Sequence, residues 1–205
     1  VGYYQTVNKT TPVAGDVKYV DRNGDGVVDD NDRDIIGNPN PDFTYGFQTK
    51  VSWKSLSLSA SFNGVQGRDI LNVGNRYNNT PGTKSNNVTR KAFQNMWTDE
   101  NPSNLYPKST FVVQNMVMDR YVEDGSYLRC SDITLSYVLP AKWTNKIGIK
   151  NTSVYASVKN AFVITDYSGY DPEVNSFAFD GLRPGVDMNS YPTPRSFVFG
   201  LNLTF

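Results

Sequence analysis

The sequence predicts an all-β, antiparallel chain whose strands cross a lipid bilayer as one part of a transmembrane β-barrel. Three observations carry that prediction. Apolar residues recur at every second position in several segments; the connections between those segments alternate between short and very long; and the composition is that of a β protein. The 205 residues include 13 Tyr, 11 Phe and 3 Trp, beside abundant Ser, Thr, Asn and Gly, while long apolar helix formers are thin.

The opening GYYQTV reads as a first strand. In DFTYGFQTKVSWKSLSLSASFNG, Phe43, Tyr45, Phe47, Val51 and Trp53 alternate with Thr44, Gly46, Gln48, Lys50 and Ser52. Leu56, Leu58, Ala60 and Phe62 then alternate with Ser57, Ser59, Ser61 and Asn63, which leaves Lys54-Ser55 as a tight hairpin turn. SDITLSYVLP sets Ile133, Leu135, Tyr137 and Leu139 against Asp132, Thr134, Ser136 and Val138, and Pro140 stops the strand. TSVYASVKNAFVIT alternates less cleanly, with Val154, Ala156, Val158, Phe162 and Ile164 on the apolar face. RSFVFGLNLTF closes the chain with Phe197, Phe199, Leu201, Leu203 and Phe205 on one face. The total is about six strands, with no amphipathic helix of normal length.

Residues 54–55 and 140–151 form short connections, whereas residues 8–41, 67–120 and 166–194 are long and rich in Asn, Gly, Pro, Tyr and Asp. Loops above about 12–15 residues are uncommon in soluble domains, but outer-membrane barrels have short periplasmic turns and long external loops. A strand of about 10–11 residues at ~3.3 Å each, tilted by ~45°, rises about 25 Å, the height of the apolar band on such barrels. Phe43, Trp53, Tyr127, Tyr137 and Phe205, near strand ends, are then read as an interfacial girdle. Six strands close no barrel of that size, and an open edge in lipid leaves backbone groups unpaired; the remaining strands are expected upstream. The chain begins without Met on VGYYQT, so a fragment or processed piece is expected. A soluble β-sandwich whose apolar faces meet in a core also fits the alternation but leaves the three long loops unexplained.

Composition narrows the function classes. The 20 basic and 20 acidic residues cancel, and Lys and Arg are scattered singly between acidic residues, so no basic face for nucleic acid is present. With no His and one Cys, His-assisted nucleophiles, His-ligated zinc and paired-cysteine clusters are excluded. Cys130 reads as a small apolar filler within a strand. No run of 18 apolar residues exists, which excludes a helical span and not a β-barrel.

The acidic run DRNGDGVVDDND, residues 21–32, has calcium-loop spacing. With Asp21 at position 1, Asn23 is 3, Asp25 is 5, Gly26 is 6, Val27 is 7, Asp29 is 9 and Asp32 is 12. Three short side chains, the Val27 carbonyl and a distal carboxylate are the oxygen donors a structural calcium requires. Asp32 replaces the usual Glu and reaches less far. The competing reading is a solvated Asp/Asn/Gly turn held by side-chain to backbone hydrogen bonds. Lys18-Tyr19-Val20 before the run and IIGNPNPDF after it are not the helices of an EF-hand, so an ion here would staple a long loop.

Four motifs together resemble the C-terminal portion of SusC/RagA-type TonB-dependent outer-membrane transporters: GDVKYVDRNGDGVVDDNDRDIIGNPNPDFTYGF at 15–47, RYVEDGSYLRCSDITLSYVLP at 120–140, SVYASVKNAFVITDYSGYDPEV at 153–174, and SYPTPRSFVFGLNLTF at 190–205. The resemblance covers nearly all of residues 1–205. It implies a 22-stranded barrel of the Gram-negative outer membrane, with the plug domain, the TonB box and the earlier strands outside these residues. It further implies a SusD-like surface lipoprotein as a lid, TonB-driven uptake of glycans or peptides, and a role for Phe205 as the assembly signal. Such a protein is not an enzyme, and the residues named for its polar lumen face are Gln48, Lys50, Ser57, Ser59, Asn63, Thr134, Ser136 and Asn202.

Two other classes compete. A secreted calcium-dependent carbohydrate-binding or dockerin-like module would use exposed aromatics such as Trp97, Tyr106 and Tyr170 as sugar platforms. A hydrolase would need paired carboxylates such as Asp171 and Glu173 in GYDPEV, yet residues two apart on a loop establish no geometry across a glycosidic bond.

Overall fold

A computed structural model of the chain describes residues 13–80, 87–109, 117–144, 149, 151–173 and 175–204. The opening segment read as a strand, and Phe205, lie outside the described residues. The elements run β1 (Phe43–Trp53), β2 (Leu56–Gln66), β3 (Asp69–Asn72), α1 (Val73–Asn79), α2 (Arg90–Asn95), β4 (Val122–Asp124), β5 (Tyr127–Val138), α3 (Ala141–Thr144), β6 (Asn151–Thr165), β7 (Val186–Asp187) and β8 (Ser196–Thr204). The five long strands form one antiparallel sheet in the order β1-β2-β5-β6-β8, and the three short ones pair as β4-β3-β7. Among the described residues every helix is shorter than two full turns, as expected of a sequence with no extended 3.6-residue apolar period.

Packing divides the chain into two compact units, Val1–Gly37 with Leu71–Val122, and Asn38–Ile70 with Glu123–Phe205. The second contains the long sheet. Its β1-β2 hairpin turns through Lys54-Ser55, with Trp53 opposite Leu56; Lys54 takes a left-handed φ of 53°, the conformation a two-residue hairpin demands. Next to it, Val138 N–H donates to the Ser55 carbonyl, and Leu139 N–H to that of Thr152. Both short connections therefore lie at one end of the sheet.

Register sorts the side chains into rows across the sheet. Val51, Leu58, Leu135, Ala156 and Phe199 form one row, and Trp53, Leu56, Tyr137, Val154 and Leu201 the next. On the opposite face the rows are Lys50, Ser59, Thr134, Ser157 and Val198, then Ser52, Ser57, Ser136, Tyr155 and Gly200. The apolar rows are not covered: Phe199 is 78% exposed, Trp53 69% and Phe197 66%. A sandwich would bury these side chains between two sheets. A wall whose apolar face meets acyl chains leaves them open.

Two irregularities lie at mid-strand. Ser131 is an extra residue in β5 against β2, where Ser61 pairs with Asp132 but Phe62 with Cys130. In β6, Asn160 takes φ 51° where the β5 register shifts again. Such bulges bend a strand and re-aim its side chains. Beyond Ser131 the phase of β5 changes: Cys130 joins the apolar row between Phe62 and Phe162 and is fully buried there, as a small filler should be. Tyr127 falls on the other face with Arg129 and is only 6% exposed. Its place in the interfacial girdle is therefore corrected, while Phe43, Trp53 and Tyr137 remain exposed near strand ends.

Candidate functional site

The eight side chains assigned to the lumen share one face of the sheet. Gln48 Nε2 donates to Ser61 Oγ at 3.0 Å, Ser52 and Ser57 hydroxyls meet at 2.9 Å, and Asn202 Nδ2 donates to Ser153 Oγ at 3.3 Å. A carboxylate not singled out from sequence organises this face. Asp132 accepts from Thr134 Oγ1 and from Ser157 Oγ, both at 2.7 Å, in a row that runs Gln48, Ser61, Asp132, Lys159 and Ser196. The face presents hydroxyls, three amides, a carboxylate and two ammonium groups, which is chemistry for passing polar solutes over many weak hydrogen bonds.

Above it the long loop after β6 is tied down by an ion cluster. Arg129 and Asp171 are 5% and 3% exposed and form a hydrogen-bonded ion pair; Arg129 Nε also lies 2.9 Å from Glu173 Oε2, without hydrogen-bond alignment. Tyr127 hydroxyl donates to Glu173 Oε1 at 2.9 Å, and Asp171 accepts the N–H groups of Glu173 and Thr193. Burial alone would raise the Asp171 carboxyl, but these two N–H groups, the Thr193 side chain and the Arg129 cation outweigh it and hold it below the ordinary range. The two carboxylates considered for hydrolysis thus both serve Arg129, a partner more than 40 residues away that no local motif reveals. In the same loop Tyr167 hydroxyl donates to Asp187 Oδ2 at 2.7 Å; burial, and then Asp187, push that phenol far above its usual value.

The acidic loop belongs to the other compact unit. Asp21 Oδ1 accepts Gly24 N–H and Oδ2 accepts Gly26 N–H, at 2.7 and 2.9 Å. Gly24 and Gly26 have φ of 75° and 85°, which lets the chain wrap back on Asp21 without a Cβ penalty. At the far end Asp32 accepts N–H groups of Arg22, Asn23 and Asp29. Those bonds, from Asp29 first and then Arg22, lower the carboxyl of Asp32. Asn23 Oδ1 accepts Asp25 N–H, Asp25 Oδ1 accepts Val27 N–H, and Asp29 Oδ1 accepts Asn31 N–H while capping a single 3-10 turn. The predicted donors therefore stand in one tight, exposed loop of hard oxygen ligands; Asp32 Oδ1 already accepts two N–H groups, whereas the oxygens of Asp21 accept one each. The geometry also has the bonding of the metal-free turn: among the described residues no three acidic, His or Cys side chains are grouped as a metal cluster.

In the same unit a cavity of about 1,100 Å³ is lined by Arg22, Asp29, Asp32, Trp97, Tyr106 and Arg120 among others. Trp97 lies over Gly15, where a Cβ would approach its ring to 2.5 Å. Lys108 N–H donates to the Gly15 carbonyl, and its ammonium lies 3.2 Å from Asp16 Oδ1. Two of the three aromatics named from sequence as sugar platforms, Trp97 and Tyr106, thus line this concavity; Tyr170, 72% exposed, stands on the other unit.

No protein-family model matches the chain. The chain is 35% identical to the TonB-dependent receptor P26 of Formosa agariphila, over 94% of its own length and 20% of the relative's. It is 34% identical to the TonB-dependent receptor SusC of Bacteroides thetaiotaomicron, over 91% of the chain and 17% of that protein. The structure of the RagAB peptide transporter matches with a TM-score of 0.71 at 29% identity, covering 83% of this chain and 18% of that one. The chain spans about a fifth of the length of the curated relatives it matches. Identity along nearly the whole chain, the shared fold and a sheet with one apolar and one polar face agree: it belongs to the SusC/RagA-type TonB-dependent receptors, non-enzymatic proteins of the Gram-negative outer membrane, as one segment of the antiparallel barrel.

Proposed function

We propose that this chain is the C-terminal portion of an active importer, supplying barrel wall and part of the external vestibule through which an oligomeric nutrient, a glycan or a peptide, enters. One observation carries the reading: five consecutive strands expose apolar rows on one face and hydrogen-bonding rows on the other. Phe and Leu in the first set meet lipid, and Gln48, Ser59, Asp132 and Ser157 in the second line the solute path. The loop cavity with Trp97, Tyr106 and Arg120 offers ring faces for sugars and a cation for carboxyl groups. A SusD-like lipoprotein closes over the long loops, and TonB couples through the plug and the remaining strands in the rest of the receptor.

Calcium at residues 21–32 fits as a staple of the loop that precedes β1. Asp21, Asn23, Asp25, Asp29, Asp32 and the Val27 carbonyl would hold it; the ion supplies charge to rigidify the loop and takes no part in chemistry.

The test is uptake by cells with and without the full-length receptor, using labelled oligosaccharides and labelled peptides in parallel, with a receptor lacking residues 97–108 as a third strain. Loss of uptake of one class in both altered strains is expected. Equal uptake of both classes by cells without the receptor overturns the proposal, as does a full-length receptor that stays in solution without detergent.

A further inference from the structure

The net charge of zero conceals a segregation. Residues 43–68 contain Lys50, Lys54 and Arg68 and no acid, and residues 133–165 contain Lys142, Lys146, Lys150 and Lys159 and no acid. Across the five long strands Asp132 is the one carboxylate. The reading of basic residues scattered between acidic ones holds in the long loops and fails at the short turns.

The hydrogen bonds from Val138 to Ser55 and from Leu139 to Thr152 put both short turns side by side. One carries Lys54, whose Nζ lies 4.7 Å from the centroid of the Trp53 ring; the other carries Lys142 and the exposed Trp143. Trp53 is the last residue of β1 and stands on its apolar face, so on the barrel reading its ring lies where the acyl region stops and Lys54 reaches just beyond it.

We propose that this end of the sheet is a docking surface for anionic phospholipid headgroups, with Lys54 and Lys142 as the phosphate-facing cations and Trp53 and Trp143 as their interfacial floor. The proposal rests on the barrel reading and is independent of what the receptor transports. Charge complementarity selects the occupant: the two turns carry four lysines, Lys54, Lys142, Lys146 and Lys150, and no carboxylate, which favours a phosphate-bearing, net-negative lipid over a zwitterionic one. Each lysine near an anionic surface contributes about fivefold in lipid partitioning, and the pair about 25-fold.

The experiment uses the full-length receptor in nanodiscs of phosphatidylcholine mixed with an equal amount of phosphatidylglycerol, and counts retained lipids of each kind by native mass spectrometry. Wild type should be enriched in phosphatidylglycerol, and the enrichment should fall as salt rises. K54Q/K142Q should retain the two lipids near the bulk ratio, whereas Lys91→Gln, on α2 of the other unit, should behave as wild type. Heat-modifiable gel mobility confirms that each variant is folded, and the salt titration of wild type needs no variant. Equal retention of both lipids by wild type, or enrichment that survives K54Q/K142Q or high salt, overturns the proposal and leaves the barrel reading standing. A receptor that does not enter nanodiscs overturns both.

Discussion

Replacing Ile133 with Arg tests the assignment of faces directly. Residue 133 is six positions past Tyr127 and five before Val138. At ~3.3 Å per residue and a ~45° tilt each position rises about 2.3 Å, which puts Ile133 about 14 Å from one end of β5 and about 12 Å from the other, at the middle of the apolar band. It stands in the row with Ala60, Val158 and Phe197, on the lipid face. A cation at the bilayer midplane costs a barrel about 2–4 kcal/mol, a thirtyfold to several-hundredfold loss in the folding equilibrium. Thr134, one residue on, faces the lumen beside Asp132; Arg there gives up one hydroxyl bond but gains that carboxylate, for a net change below about 1 kcal/mol. The assay is denaturant folding of the full-length receptor into phosphatidylcholine vesicles, read by protection from protease and by heat-modifiable mobility. Equal destabilisation by the two substitutions, or a neutral Ile133→Arg, would refute the placement of lipid on this face.

Chelation should raise protease sensitivity within about residues 8–41, and Asp21→Ala should do so without chelator; an unchanged digest together with no bound metal removes the calcium proposal. Arg129→Gln leaves the Asp171 carboxylate buried without its cation and should cost about 3–5 kcal/mol, read as earlier thermal unfolding and new cleavage within residues 166–194. Folding lowers the Asp171 carboxyl below its unfolded value, so its contribution is complete above the ordinary carboxylate range and is lost as pH falls through the folded value. Protease protection of the 166–194 loop should therefore be flat from about pH 5 to 8 and decline below about pH 4; a loss near neutrality contradicts the assignment. Deleting Ser131 straightens β5 where it turns towards Arg129, and should release the same loop with no further effect when combined with Arg129→Gln; additive effects would separate the bulge from the ion cluster.

What was legible in this sequence is what depends on neighbours along the chain. Period two is enforced residue by residue by the pleat, so β1, β2 and β8 are readable to within a few positions, and Lys54-Ser55 is readable because a hairpin turn is local. The start of β5 was not, although its signal is present. In SYLRCSDITLSY the apolar positions Leu128 and Cys130 are even and Ile133, Leu135 and Tyr137 are odd, and a phase change of that kind marks either the end of a strand or a bulge within one. The alternatives are separated by pairing: Phe62 and Phe162 must flank Cys130 for the strand to continue, and that information lies some 30 to 70 residues away. Arg129 follows the same logic. A cation inside a strand bound for lipid is a contradiction in one dimension and is resolved by Asp171 and Glu173, delivered by a loop whose own sequence reads as a turn. The acidic loop is the converse case. Spacing places its oxygens in the order calcium requires, yet the same spacing serves carboxylates that accept their own backbone N–H groups, since both arrangements ask short acidic side chains to point inward around a glycine turn. Sequence therefore specifies the ring of donors, and the choice between a cation and the backbone as its occupant is one of free energy, set by the cost of drawing five acidic or amide groups together against the charge an ion brings.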